Sequence, residues 1–411
     1  MERSKPVGIC IDDGKRQVVN VITWEQRKLL DYIEVSSLKN RTETYSKEDV
    51  LSVSGDFGIV NQIEFQGRSF AGASVANYGV VETGDIVYTK SPLKANPYGI
   101  IKANKGKAGI VSTLYAVYKT RENTDSEFVQ VYFEQDARMN NYMQPLVNKG
   151  AKNDMKVSDE NALKGLVSFP KKAEQIAISR YFDAIDNLIT LHQRKCDEMK
   201  KIKKFMLQKM FPKNGQKNPE IRFDGFTDDW EQRKFSDLYE KNTEKNSELI
   251  GYDKTISIAT MTYKDEGNGA SDESLKTYKV LRLGDLAFEG HTNKEFRYGR
   301  FVANDIGIGI MSPRFSTLRP IKEMSISFWK YYIHYEPIMR KILVNSTKAG
   351  TMMNELVISE FLNQQILVPS EDEQKEIGQF LDSIEHLITL HQRKVETLKN
   401  LKKYMLQNMF V

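Results

Sequence analysis

The eight residues LITLHQRK occur twice, at 188–195 and at 387–394, and this repeat limits the possible folds more than any other feature of the chain. Residues 181–211 laid over residues 380–410, an offset of 199, agree at 18 of 31 positions. The match continues upstream, where Pro170, Glu174 and Gln175 fall on Pro369, Glu373 and Gln374. A second anchor, WEQRK, stands at 24–28 and returns at 230–234, an offset of 206. Between the anchors only sparse echoes remain, Gly84-Asp85 against Gly284-Asp285 and GIVS at 109–112 against GIMS at 309–312. The chain is a tandem duplication in which a frame was kept and its contents were replaced.

The kept segments carry a helical period. Ile178, Phe182, Ile185, Leu188, Ile189, Cys196, Met199, Ile202 and Met206 recur at spacings of three and four, and Ile377, Leu381, Ile384, Leu387, Ile388, Val395, Leu398, Leu401 and Met405 repeat the pattern. Ser370 and Glu373, just after Pro369, form a capping-box pattern that predicts the start of the second helix. At a rise of about 1.5 Å per residue each helix is roughly 58 Å long and needs a partner to cover its stripe. The nearest partner is the other copy, which predicts an intramolecular coiled coil.

The blocks between the anchors read as α+β domains with short strands and long loops. Their β-rich runs are GDIVYT, GIVSTLYAVY and EFVQVYF in the first block, and GDLAFEG, IGIGIMS and FSTLRP in the second. The expected division is an N-terminal segment 1–20, a first variable domain 21–170, a helix 171–211, a Gly- and Pro-containing linker 212–229, a second variable domain 230–369 and a helix 370–411.

Each variable block places a polar cluster in an equivalent region. The first has Lys90, Lys94, Asn96, Tyr98, Lys102, Asn104, Lys105 and Lys107; the second has His291, Asn293, Lys294, Arg297, Tyr298 and Arg300, then Arg314. Cations that neutralise phosphates, mixed with Asn and Arg that can bond base edges, suit DNA reading. Solubility residues on loops are the alternative for either cluster alone. A net charge of +5 and a pI near 8.8 permit a polyanion partner without requiring one.

Catalytic and metal signatures are lacking in the sequence. There is no GxxxxGK[ST] loop, Asn96-Pro97-Tyr98 lacks the second proline of an adenine-methyltransferase tetrapeptide, and the ExK-like Glu373-Gln374-Lys375 opens a helix. His192 and His391 have no ligand-spaced partner and read as helix-contact residues. Two cysteines make no disulfide framework, no apolar run approaches a membrane span, and the N-terminus has no apolar signal region, so the expectation is a cytoplasmic protein.

Two diverged domains, each opened by WEQRK and followed by a helix of the ITLHQRK…MLQKMF kind, resemble the specificity subunit of type I restriction-modification systems over essentially the whole chain. The resemblance implies two target recognition domains, each reading one half of a split double-stranded DNA site, and two helices pairing antiparallel about a pseudo-twofold axis. It implies no catalytic residue and no cofactor on this chain. Two modification subunits would bring S-adenosylmethionine, and restriction subunits would bring ATP and Mg. The repeated basic positions His192, Arg194, Lys195, His391, Arg393 and Lys394 are then candidates for partner binding, with a solvated helix face as the alternative. One departure stands out: FDGFTDDW leads into Trp230 but QVVNVIT leads into Trp24, so the first unit's edge is expected to be built differently or to start at a non-native residue. Two other readings remain open, a coiled-coil scaffold that binds only protein and the specificity portion of a fused nuclease-methyltransferase.

Overall fold

A computed structural model describes residues 24–90, 96–149, 155–213, 215–264, 271–350 and 353–410, with a short pairing of Ile11–Asp12 and Lys15–Arg16. The rest of the N-terminal segment, and Lys94, lie outside the described residues. Two compact units divide the chain, unit 1 at 1–191 and 394–411 and unit 2 at 192–393. The dividing lines cut through the two long helices, α1 (Lys172–Met210) and α2 (Glu371–Asn408), so each unit holds part of both.

Unit 1 is built on a four-stranded antiparallel sheet of β1 (Ile33–Val35), β2 (Ile86–Thr89), β3 (Ile101–Ala103) and β4 (Tyr115–Thr120), in the order β1-β4-β2-β3. Unit 2 repeats it with β5 (Tyr239–Lys241), β6 (Leu286–Glu289), β7 (Arg300–Ala303) and β8 (Ser316–Pro320), in the order β5-β8-β6-β7. The registers correspond: Ile86 faces Ala103 and Tyr118, while Leu286 faces Ala303 and Leu318. Sequence identity between the blocks has nearly vanished, yet the strand pairing has not slipped, because a shift by one residue would turn each buried face outward.

The sparse echoes are turn chemistry. Gly84 and Gly284 have positive φ, and each donates its N–H to the carbonyl of an asparagine, Asn104 or Asn304. The Asn104 amide returns to the Glu82 and Lys107 carbonyls, and the Asn304 amide to those of Arg282 and Gly307. Gly99 and Gly299 are likewise required at positive φ, since a Cβ would run into the carbonyl oxygens of Thr89 and Glu289.

The WEQRK anchors have an equally local cause. Glu25–Lys28 pairs with Leu166–Phe169, and Glu231–Lys234 with Gln365–Val368, so the first strand of each variable domain is clasped to its last. The preceding tryptophan enters an aromatic nucleus. Trp24 meets Phe128 and Phe410, with Tyr132 and Phe169 alongside; Trp230 meets Phe328 and Tyr332, with Phe211 alongside. Phe211 and Phe410, at corresponding places just past the two helices, therefore plug equivalent cores. One expected strand is a helix instead: EFVQVYF belongs to Ser126–Phe133, where Asp125 caps the Phe128 N–H and Phe128, Val129, Val131 and Tyr132 are all buried. The i, i+3, i+4 burial pattern overrode the β-prone composition.

Pro170–Gln175 and Pro369–Gln374 form the helix starts. Gln175 donates to the Pro170 carbonyl and Gln374 to that of Pro369. Ser370 Oγ accepts from the Glu373 N–H, but the reciprocal half of the expected capping box is replaced: Arg222 holds the Glu373 carboxylate with bonds of 2.6 and 2.8 Å. The 212–229 stretch, expected as a linker, thus packs on unit 2, where Phe223 also meets Phe380.

Candidate nucleic-acid interface and partner-binding helices

Within each unit the helices run antiparallel. In unit 2 Cys196 packs with Ile384 and Ile388, and Lys203 reaches Glu385 at 2.6 Å. The corresponding pair in unit 1 is Lys402 with Asp186, at 2.7 Å, extended by Glu134 at 2.9 Å. His192 and His391, half-buried, meet each other with their Nδ1 atoms 3.0 Å apart and their ring centres 5.1 Å apart. As helix-contact residues they behave as expected, but their rings face the seam and leave the outward surface to Arg194, Lys195, Arg393 and Lys394, all exposed. No group of three or more His, Cys, Asp or Glu among the described residues could hold a metal ion.

The expected seam needs a correction. Leu188, Ile202, Leu387 and Leu401 were read as part of the buried stripe, yet each is about 40% or more exposed. The seam itself follows Phe182, Ile185, His192, Cys196, Met199 and Met206 on α1. With Leu191, Phe205, Leu390 and Tyr404, also exposed, the four form a second apolar stripe on both helices: 188, 191, 202 and 205, repeated at 387, 390, 401 and 404. The two apolar pairs on each helix lie fourteen residues apart, with Lys195 and Glu198, or Lys394 and Thr397, at the heptad positions between them; that they are separate from the seam is set by which residues the partner helix covers.

The two polar clusters end in different environments. In unit 1 Lys90 pairs with Asp159 at 2.9 Å, Asn96 donates to Asp136, and Tyr98 is buried with its carbonyl accepting from the Tyr88 hydroxyl. Lys102 is 7% exposed; desolvation lowers its pKa, and Glu134 at 3.9 Å opposes that shift. Lys105 pairs with Asp183 and Glu127. Asn104, 2% exposed, spends its amide on the turn described above, and its counterpart Asn304 shows the same bonds. Lys107 is exposed.

Unit 2 keeps most of its cluster outward, Arg300 excepted. His291, Lys294, Arg297 and Arg314 are exposed, and Asn293 shapes their loop by accepting from the Glu295 and Phe296 N–H groups. Phe296 anchors that loop, buried against His334, with the Arg300 guanidinium over its ring and held by Glu289 at 2.6 Å. The 353–354 segment gathers the rest: the Asn354 N–H donates to the Gly290 carbonyl, its side chain reaches the Arg297 carbonyl, and Met353 lies by Arg314.

Unit 1 has a feature absent from the sequence-derived expectations. Phe57, Phe65 and Phe70 are exposed near one hairpin, Phe57 and Phe65 in ring contact at 5.2 Å and Arg68 over Phe70 at 4.5 Å. Three phenylalanines flanked by Gly55, Gly58, Gly67 and Gly72 were the available signal.

Neither a protein-family model nor a characterised relative matches the sequence. Solved structures do match. The S subunit of a type I restriction-modification system from M. genitalium aligns with a TM-score of 0.57 at 12% identity, over 96% of this chain and 98% of that one. The chain has the fold of a type I restriction-modification S subunit. Two further structures align less well: the HsdS subunit from Thermoanaerobacter tengcongensis (TM-score 0.46, 15% identity, 94% of this chain and 96% of that one), and one describing complex assembly and conformational transition of the type I R-M system (TM-score 0.47, 15% identity, 94% and 97%). Within the S-subunit fold, the variable domains are the blocks built on β1–β4 and β5–β8, and the paired helices are α1 and α2. No helix among the described residues is long and apolar enough to cross a membrane.

Proposed function

We propose that the chain is the non-catalytic specificity subunit of a cytoplasmic type I restriction-modification complex. Its two variable domains read the two halves of a split, asymmetric site in double-stranded DNA, and its helices recruit two modification subunits and the restriction subunits. The observation that carries this reading is the contrast between frame and contents: one backbone plan used twice, with different polar surfaces in its loops and one repeated apolar stripe on its helices. A protein that must hold two copies of one partner while reading two different half-sites needs that division. The exposed cations of unit 2, His291, Lys294, Arg297 and Arg314, are the leading DNA contacts there; in unit 1 Lys107 and the Phe57–Phe70 region take that place.

Leu188, Leu191, Ile202 and Phe205, with their repeats on α2, fit amphipathic helices of the modification subunits, and Arg194, Lys195, Arg393 and Lys394 flank them. The S-adenosylmethionine, ATP and Mg would be bound by those partners, with no cofactor on this chain.

The test is methylome sequencing of a methylation-free host that expresses this chain with its modification subunit, against a host with that subunit alone. A split motif methylated at adenine on both strands, seen only with this chain, is the expected result. Complex formation without a new motif would favour the protein-only scaffold. Inserting one heptad in both helices should lengthen the unread spacer and leave both half-sites unchanged.

A further inference from the structure

Unit 2 shows how an extended segment closes over the start of a long helix. The Ile221 N–H donates to the Lys209 carbonyl at 2.9 Å, Arg222 grips both oxygens of Glu373, and Phe223 sits against Phe380 with ring centres 5.9 Å apart. The Trp230 N–H then closes back on the Lys217 carbonyl. Beneath this segment Glu373 is 0% and Trp230 2% exposed.

The same acceptors recur in unit 1. At the offset of 199, Lys209, Glu373 and Phe380 correspond to Asn408, Glu174 and Tyr181, and at the offset of 206 Trp230 corresponds to Trp24. Their surroundings differ in a consistent direction. Glu174 and Trp24 are half-buried, and Tyr181 is 42% exposed. Glu174 Oε1 accepts from the Trp24 indole at 3.2 Å, while Oε2 is buried without a hydrogen-bond partner among the described residues. In unit 2 it is the Trp230 indole that has no hydrogen-bond partner among the described residues, because the arginine has taken the carboxylate. A buried carboxylate oxygen without a donor is costly, and a guanidinium is the group whose planar pair of N–H donors matches a carboxylate.

We propose that unit 1 carries a docking site for an extended peptide segment of a partner protein in which an arginine is followed by an aromatic residue. Glu174 takes the guanidinium, Tyr181 the ring, and the Asn408 carbonyl the N–H of the residue before the arginine. The site is independent of the DNA-reading role: it is defined by side chains at the start of α1 and the end of α2, none of them in the polar clusters. Its ligand chemistry is specified by this chain's own residues 217–229, which satisfy the equivalent positions in unit 2.

The probe is therefore a fluorescent peptide of the sequence KNPEIRFDGFTDD, titrated with the intact chain and read by anisotropy. Saturable binding of one peptide per chain is expected, weakened about tenfold or more when its arginine is replaced by alanine, as for loss of a charge-assisted pair. Glu174→Gln should cause a similar loss, and the arginine-free peptide makes the same test with the protein unaltered. A photo-crosslinker in place of the peptide's first phenylalanine should mark residues around Tyr181. No saturable binding, equal binding of the arginine-free peptide, or crosslinks around Phe380 would overturn the proposal.

Discussion

Unit 1 and unit 2 share a strand order, a register and an aromatic nucleus, but they differ in what they do with charge. In unit 1 Lys90 and Lys102 turn inward to Asp159 and Glu134, and Lys105, though exposed, is tied to Glu127 and Asp183, which leaves Lys107 outward among the described lysines of the cluster. In unit 2 the 291–297 loop presents His291, Lys294 and Arg297 outward, and the interior charge is gathered at Arg319, which binds Asp285 and Glu244. The difference shows that a duplicated frame constrains where backbone turns and aromatic rings go, and leaves the polar positions of loops free to become either internal ties or exposed ligand groups.

The comparison breaks most severely at the plugs. Phe211→Ala and Phe410→Ala should each cost about 3–5 kcal/mol, the usual range for emptying a buried aromatic site. Hydrogen exchange should rise in 316–332 for the first and in 115–133 for the second. Equal loosening of both regions by either change would contradict the separate nuclei. Next in size is Arg222→Ala, which strands the Glu373 carboxylate and should cost about 3 kcal/mol. Glu174→Gln at the matching place should cost under about 1 kcal/mol, since no cation among the described residues is lost; urea unfolding of the two variants gives the contrast.

Asn104→Ala and Asn304→Ala should cost about 2 kcal/mol each, by leaving turn carbonyls unbonded. The pair also separates structure from reading: unchanged stability together with a lost half-site for Asn104→Ala would make that residue a DNA contact. Smaller still are the cross-helix ion pairs, at about 1 kcal/mol or less. Lys402→Met should exceed Lys203→Met because Lys402 is the more buried and joins two carboxylates, and salt titration should narrow the gap.

The last test uses acid. Hydrogen bonds from Arg282, then Arg319, hold the Glu244 carboxyl down to about 2 from its ordinary 4.5. A depressed carboxyl stabilises the fold above its ordinary value and loses that contribution as pH falls from about 4.5 toward 2. The counterpart in unit 1 is Leu38, whose carbonyl likewise accepts from the Val80 N–H as that of Glu244 does from Val280. Glu244→Gln should therefore flatten the acid dependence of unit 2 in that window and leave unit 1 unchanged, as read by hydrogen exchange.

Much of this plan was legible beforehand at the anchors and little of it between them. WEQRK, Pro170 with Gln175 and Gly84-Asp85 survive as words because each does a local backbone task that few residue types can perform. Phe128 with Phe328 and Asn104 with Asn304 do equivalent tasks at an offset of 200, but single identities in diverged blocks do not stand out. The reading of Asn104 and Lys102 as ligand residues failed to anticipate their burial, since a lysine or asparagine in a glycine-rich run looks the same whether its partner is solvent or a carboxylate brought in from far along the chain.

The sequence by itself determined the duplication, the two long helices and the absence of familiar catalytic motifs, because periodicity and repetition are properties of neighbouring residues. Only the tertiary structure decided which of two apolar stripes on each helix is buried, which cations face outward, and where residues 212–229 lie. Those outcomes depend on what a partner element covers and on which distant carboxylate reaches a given cation, and neither is written in local spacing.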